Sequence, residues 1–127
     1  MIEIRQAKKG MCILYNNKPY RVDDLKSVVV SKHSHTKTKV ALNHIFDKNN
    51  KQLLTLPQSE QVENIQVIRK HGQYIAGLGE GRGQVMDMRD YTIYESEIPD
   101  ELMESIKEGD EITYIEFKGR RKILEIR

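Results

Sequence analysis

The side chains most capable of chemistry are gathered in one stretch, Val28-Val29-Val30-Ser31-Lys32-His33-Ser34-His35-Thr36-Lys37-Thr38-Lys39-Val40, where β-branched residues give way to amines and imidazoles and then to another apolar strand. Between Asp24 and Asp47 there is no acidic residue, yet the span holds Lys26, Lys32, Lys37 and Lys39 together with His33, His35 and His44. Ammonium groups without counter-ions attract polyanions. The imidazoles offer a second chemistry: His33 and His35 point the same way on a strand, and His44 lies on the return. No Cys or carboxylate cluster joins them, so no metal site is expected. Ser, His, Thr and Lys are also ordinary turn formers, and a merely solvated loop is the competing reading.

The elements on either side must form a hairpin for this stretch to be presented. Tyr20 and Val22 lead across Asp23-Asp24 to Val28, and the return alternates from Val40 through Leu42 before Ile45-Phe46. On such a finger Lys32, His33 and His35 occupy the tip and Lys26, Lys37 and Lys39 line the arms, all as RNA contacts. Amines of this kind hold phosphates without reading sequence, which suits a partner of variable sequence.

Short strands fill the rest of the first half. Ile2-Glu3-Ile4 reads as a strand, Ala7 to Gly10 as a turn, Met11 to Tyr15 as a strand ending at Asn16-Asn17, Leu53 to Leu56 as a strand, and Val62 to Val67 as another. This spacing predicts an SH3-like barrel. The second half carries glycines at 72, 77, 79, 81 and 83. No Gly-Lys-Ser/Thr follows them, so they predict bulges and a tight turn and not a phosphate loop. Tyr91 to Ile98 reads as a strand. Pro99 then opens a short helix, with Leu102, Met103 and Ile106 as its apolar stripe and Gly109 as its end. Glu111 to Phe117 and Arg121 to Ile126 follow as strands. Three strands, a helix and two strands is the order of an OB-fold barrel. The reading is therefore all-β, with an SH3-like (KOW-type) basic domain over 1–66 and an OB-fold domain over 67–127.

The charge balance divides at the same place. Residues 1–66 carry 11 Lys and Arg against 6 Asp and Glu, a net of +5, and residues 67–127 carry 10 against 13, a net of −3. The first half favours an anionic partner, nucleic acid before membrane, because no basic amphipathic helix is visible. Cys12 is the single cysteine, so no internal disulfide forms; in Met11-Cys12-Ile13-Leu14 it reads as a small core residue of a cytoplasmic protein. No signal peptide or membrane span is expected. No Ser/His/Asp order, paired carboxylates or Cys-x-x-Cys is present, so neither an enzyme nor a cofactor is expected.

The string Lys32-His33-Ser34-His35-Thr36-Lys37, followed by Ile45-Phe46-Asp47, resembles the Lys-His-Gly-His-Ala-Lys loop of the translation initiation factor 5A family of archaea and eukaryotes, which is related to bacterial elongation factor P. Gln84-Val85-Met86-Asp87-Met88-Arg89-Asp90-Tyr91, Glu97-Ile98-Pro99, Gly119-Arg120-Arg121-Lys122-Ile123, Gly10 and Lys18-Pro19-Tyr20-Arg21-Val22 resemble the archaeal form, and the match runs along nearly the whole chain. The resemblance implies a ribosome-binding, RNA-binding factor of protein biosynthesis. Its lysine, matched by Lys32, reaches toward the P-site tRNA and assists peptide-bond formation at consecutive prolines. It also implies conversion of Lys32 to hypusine, with deoxyhypusine synthase as a partner, and a monomer as the default state. Ser31 and Ser34 stand where the family loop has glycine, so an unmodified paralogue is the alternative. A general RNA-binding module of the same fold is another.

Overall fold

The computed structural model describes residues 1–29 and 36–127. The chain divides into two compact units, Met1–Gln66 and Val67–Arg127.

The first unit contains β1 (Ile2–Glu3), β2 (Cys12–Tyr15), β3 (Lys18–Val29), β4 (Thr36–His44), β5 (Lys51–Pro57) and β6 (Gln61–Ile65). These form one six-stranded sheet in the order β1-β6-β2-β3-β4-β5, curled in the SH3-like manner about a single apolar cluster. Ile13, Tyr20, Val22, Val40, Leu42 and Val62 meet in that cluster, and Ile4 is drawn into it. For that reason the first strand stops at Glu3. Residues Ile4–Gln6 form a 3₁₀ turn, pinned by Ile4 N–H donating to the Glu60 carbonyl at 2.7 Å. Asn16 and Asn17 adopt φ of 50° and 62° and close the β2–β3 hairpin, a backbone state that asparagine tolerates better than most residues.

β3 is one continuous strand of 12 residues that crosses Asp23-Asp24, as the sequence suggests, with a bulge at that point. Val22 pairs with Leu42 and Asp24 with Ala41, so Asp23 is the extra residue. Its carboxylate accepts from Arg21 Nε at 2.9 Å, and Asp24 Oδ1 accepts the Leu25 N–H at 2.9 Å. Before the bulge the even-numbered Tyr20 and Val22 face the core. Beyond it Leu25, opposite Val40, faces the core and Lys26 faces outward.

The second unit contains β7 (Ile68–Gly79), β8 (Arg82–Asp87), β9 (Ile93–Glu97), β10 (Glu111–Phe117) and β11 (Arg120–Ile126). They close into a barrel in the order β10-β11-β9-β8-β7, with β10 pairing back to β7. First, second, third, fifth and fourth strands around a barrel is the OB-fold order. The 12-residue β7 serves both β8 and β10 by bending at bulges near Tyr74/Ala76 and Gly77/Gly79. Lys118 and Gly119, with φ of 48° and 81°, make the two-residue turn into β11. The core is Tyr74, Val85, Ile98, Ile112, Tyr114 and Ile123.

Two of the clustered glycines serve packing. A Cβ at Gly72 would stand 2.6 Å from Val85 Cγ1, and one at Gly83 would stand 2.7 Å from Tyr74 Cε1 and 2.9 Å from Ile98 Cδ1. Gly83→Ala is therefore expected to destabilise the barrel by about 1–3 kcal/mol through overpacking. Thermal unfolding of this variant at an unchanged midpoint would contradict that account.

The helix expected after Pro99 is reduced to a 3₁₀ turn over Asp100–Leu102, followed by irregular turns. Pro99 stands before the turn in extended conformation (ψ 147°), not at its first helical position. Leu102 and Ile106 pack on the barrel core as expected, while Met103 is exposed. Gly109 N–H donates to the Tyr74 carbonyl and Tyr74 N–H to the Asp110 carbonyl, both at 2.8 Å. The chain must therefore return to β7 within a few residues of its first turn, and a helix nucleus without room to propagate is unfavourable. Among the described residues no helix is long and apolar enough to cross a membrane.

One polar pair lies inside this barrel. Tyr114, fully buried, donates its hydroxyl to Asp87 Oδ2 at 2.5 Å, and Asp87 Oδ1 accepts the N–H groups of Arg89 at 2.8 Å and Asp90 at 3.4 Å. The Tyr114 hydrogen bond holds the Asp87 carboxyl below its ordinary range against the opposing effect of burial. Burial first, and then the bond to Asp87, push the Tyr114 hydroxyl far above its ordinary range.

Candidate nucleic-acid interface

The hairpin arms are Asp24–Val29 of β3 and Thr36–Ala41 of β4, and β4 is flanked on its other side by β5. Alternation places Thr38, Val40, Leu42 and His44 of β4 against the core, all of them buried, and sends Lys37 and Lys39 to the opposite face. Lys26 stands directly across from Lys39, and Thr55 of β5 stands on the other side of Lys39. In the neighbouring row Lys37 lies between Val28 and Pro57. Lys26, Lys37 and Lys39 thus converge on one face. Successive outward residues of a strand are about 6.8 Å apart, a separation comparable to that of consecutive phosphates on a nucleic-acid strand.

None of these three lysines enters an ion pair among the described residues. Like charges directly opposed across strands destabilise a sheet by up to about 1 kcal/mol. The Lys26–Lys39 pair therefore opposes folding in the free chain and is relieved by an anion. Arg21, Asn43 and Lys51 form a further outward row two steps along the same face. The sequence reading gives Arg21 and Lys51 no binding role because only the register across β3, β4 and β5 brings them to the face of the lysines. Between the two basic rows Asp24, Ala41 and Leu53 line a shallow depression, with Leu53 68% exposed.

The expected tip residues Lys32, His33 and His35, with Val30, Ser31 and Ser34, lie outside the described residues. His44 is turned toward the core, its ring edge-on to Tyr20 with centroids 5.3 Å apart. Its Nδ1 accepts the N–H groups of Phe46 at 3.1 Å and Asp47 at 2.9 Å, so it shapes the turn after β4. Among the described residues no group of three or more His, Cys, Asp or Glu is placed to hold a metal ion. Cys12 is only half-buried, not a full core residue; burial raises its thiol pKa, an effect that Arg21 partly offsets, and a raised thiol is a poor nucleophile. Among the described residues the face can bind anions through point charges and offers no arranged acid, base or nucleophile.

No protein-family model matches the chain. Translation initiation factor 5A of Methanothermobacter thermautotrophicus is 32% identical, over 98% of this chain and 94% of that protein. Translation initiation factor 5A of Methanoregula boonei is 34% identical, over 95% of each. A solved structure described as eukaryotic translation initiation factor 5A from Methanococcus jannaschii superposes with a TM-score of 0.81 at 28% identity, covering 99% of this chain and 92% of that one. With relatives of that name matched from end to end and both folds in common, the chain belongs to the translation initiation factor 5A family and is a translation factor, not an enzyme.

Proposed function

We propose that the chain binds the ribosome and that the β3–β4 hairpin carries Lys32 toward the CCA end of the P-site tRNA, assisting peptide-bond formation at slow sequences such as consecutive prolines. The observation that carries this reading is the lysine face of the two arms that lead to Lys32, whose three amines enter no ion pair among the described residues. Lys26, Lys37 and Lys39 grip phosphates and hold the arm in register, which orients the ribosome's own substrates without a protein acid or base. His33 and His35, which follow Lys32 in the chain, add hydrogen-bonding groups at the RNA. The reading takes the protein to act as a monomer in the cytoplasm.

Modification of Lys32 by deoxyhypusine synthase belongs to this reading. A second amine on an extended side chain lengthens the reach and adds a positive charge. Ser31 and Ser34 favour a second reading, in which Lys32 stays unmodified, because serine at positive φ costs on the order of 1 kcal/mol more than glycine and alters the loop offered to the modifying enzyme. The intact mass of protein from its native host separates the two.

Ribosome co-sedimentation across a salt series tests the interface. Each of Lys26→Ala, Lys37→Ala and Lys39→Ala is expected to weaken binding and to lower the salt slope by about one unit or less. A triple variant with unchanged salt dependence would remove these lysines from the interface.

A further inference from the structure

The sheet of the first unit is open, and its two edges differ. β1 has two residues and turns at once into the 3₁₀ segment pinned to Glu60, so it offers almost no free ladder. β5 runs for seven residues, Lys51–Pro57, and among the described residues pairs only with β4. No backbone N–H or C=O of residues 51–56 bonds outside that ladder among the described residues. Edges of this length are ordinarily shortened, covered, or guarded by charge and proline, because the free groups template pairing with another chain. Here the guards, Lys51 and Pro57, stand at the two ends. The window between them is Gln52-Leu53-Leu54-Thr55-Leu56.

The two faces of this window are unlike. Leu54 and Leu56 lean on the core and are partly buried. Leu53 stands on the outer face and walls a depression of about 180 Å³, whose other lining residues are Asp24, Lys26, Lys39 and Ala41. Asp24 Oδ1 accepts the Leu25 N–H at 2.9 Å. Lys26, Lys39 and Lys51 enter no ion pair among the described residues. Beside the edge the outer face is therefore apolar at Leu53 and cationic around it, with more amines than carboxylates.

We propose that the free edge of β5 is a docking strand for another protein, which adds an extended acidic segment to the sheet by main-chain pairing along residues 52–56. In such additions the main-chain bonds supply affinity and the alternating side chains supply choice. On the core face the added strand sets apolar side chains beside Leu54 and Leu56. On the outer face its carboxylates meet Lys51 and reach across Leu53 toward Lys39, about 10 Å away over two strand spacings, a distance that glutamate and lysine side chains bridge together. A polynucleotide carries no ladder of alternating N–H and C=O groups and cannot engage the edge. A second copy of this chain would bring a β5 window without a carboxylate and one more Lys51, leaving the amines unmatched. Lys39 serves both this edge and the lysine face, but the proposal does not depend on the ribosomal reading.

The test follows backbone resonances and amide hydrogen exchange of the isotope-labelled full chain during titration with the synthetic peptide acetyl-Glu-Val-Glu-Val-Glu-Val-amide. Its counterpart with lysine in place of glutamate, and a short oligouridylate, are titrated separately. Saturable shifts in β5 and exchange slowed about tenfold or more within residues 52–56 are expected with the acidic peptide alone. Leu53→Asp, at an exposed position and so compatible with folding, is expected to weaken the acidic peptide about fivefold or more by setting like charges side by side. Lys51→Glu is expected to weaken the acidic peptide and to gain binding of the lysine peptide, a reversal that loss of fold could not produce. Unchanged exchange across residues 52–56 with the acidic peptide would overturn the docking strand. Equal binding of the two peptides would overturn the assignment to an acidic segment. Protection that rises with the concentration of the chain alone would make a second copy the occupant, and protection by oligouridylate would make it a nucleic acid; either would overturn the proposal.

Discussion

Lys32→Arg is expected to leave folding and most of the ribosome affinity intact and to lower the stimulated rate of slow peptide bonds on the order of a hundredfold. The charge survives the substitution, so long-range attraction and the phosphate contacts proposed for Lys26, Lys37 and Lys39 persist. What is lost is the compact ammonium on a flexible stem and the primary amine that modification requires. A tip that positions a tRNA end acts through placement, and small errors of placement are costly. Peptide-bond formation between consecutive prolines, measured with saturating factor, is the readout. Full stimulation by the arginine variant would refute the tip role. Full stimulation by native protein whose mass shows no addition would refute only the modification.

Tyr114→Phe is expected to lower the stability of the barrel by about 1–3 kcal/mol, because it leaves a buried carboxylate without its hydroxyl donor. That corresponds to a fall of about 4–8 °C in midpoint for each kcal/mol in a unit of this size. The pH dependence identifies the cause. Asp87 is held below its ordinary 3.8, so its contribution is present above that value and is lost as pH falls through the depressed range. Tyr114 is raised above its ordinary 10.0, so its contribution is present below 10.0 and is lost as pH rises beyond it. The phenylalanine variant should lack the alkaline loss and show a smaller acid loss. Urea unfolding at a series of pH values reads both limbs, and an alkaline limb unchanged in the variant would assign it to another group.

The sequence announces its turns more clearly than its bends. Asn16-Asn17 and Lys118-Gly119 are legible because their residue types are those that accept positive φ. The strand across Asp23-Asp24 is legible in the sequence, but the extra residue there is not, because only the pairing with β4 shows it. The signals of the Pro99 helix were all present, but local propensity carries no information about Gly109 being tied back to Tyr74. Among the site residues Lys26, Lys37 and Lys39 stood out because they share an acid-free span. Arg21 and Lys51 do not, because only the register across β3, β4 and β5 brings them to the same face.

The bulge in β3 separates what the arm displays from where it points. Removing Asp23 would let Val22 and Asp24 follow one another in a regular ladder, leaving Leu25 inward and Lys26 outward as they are now. Every lysine would keep its face and its cross-strand neighbour. The local kink and the added twist that a bulge imparts would vanish, however, and the arm beyond it would leave the sheet along a straighter line. The residue thus acts as a sight setting: it leaves the lysines of the arms on their face and determines the direction in which they are aimed.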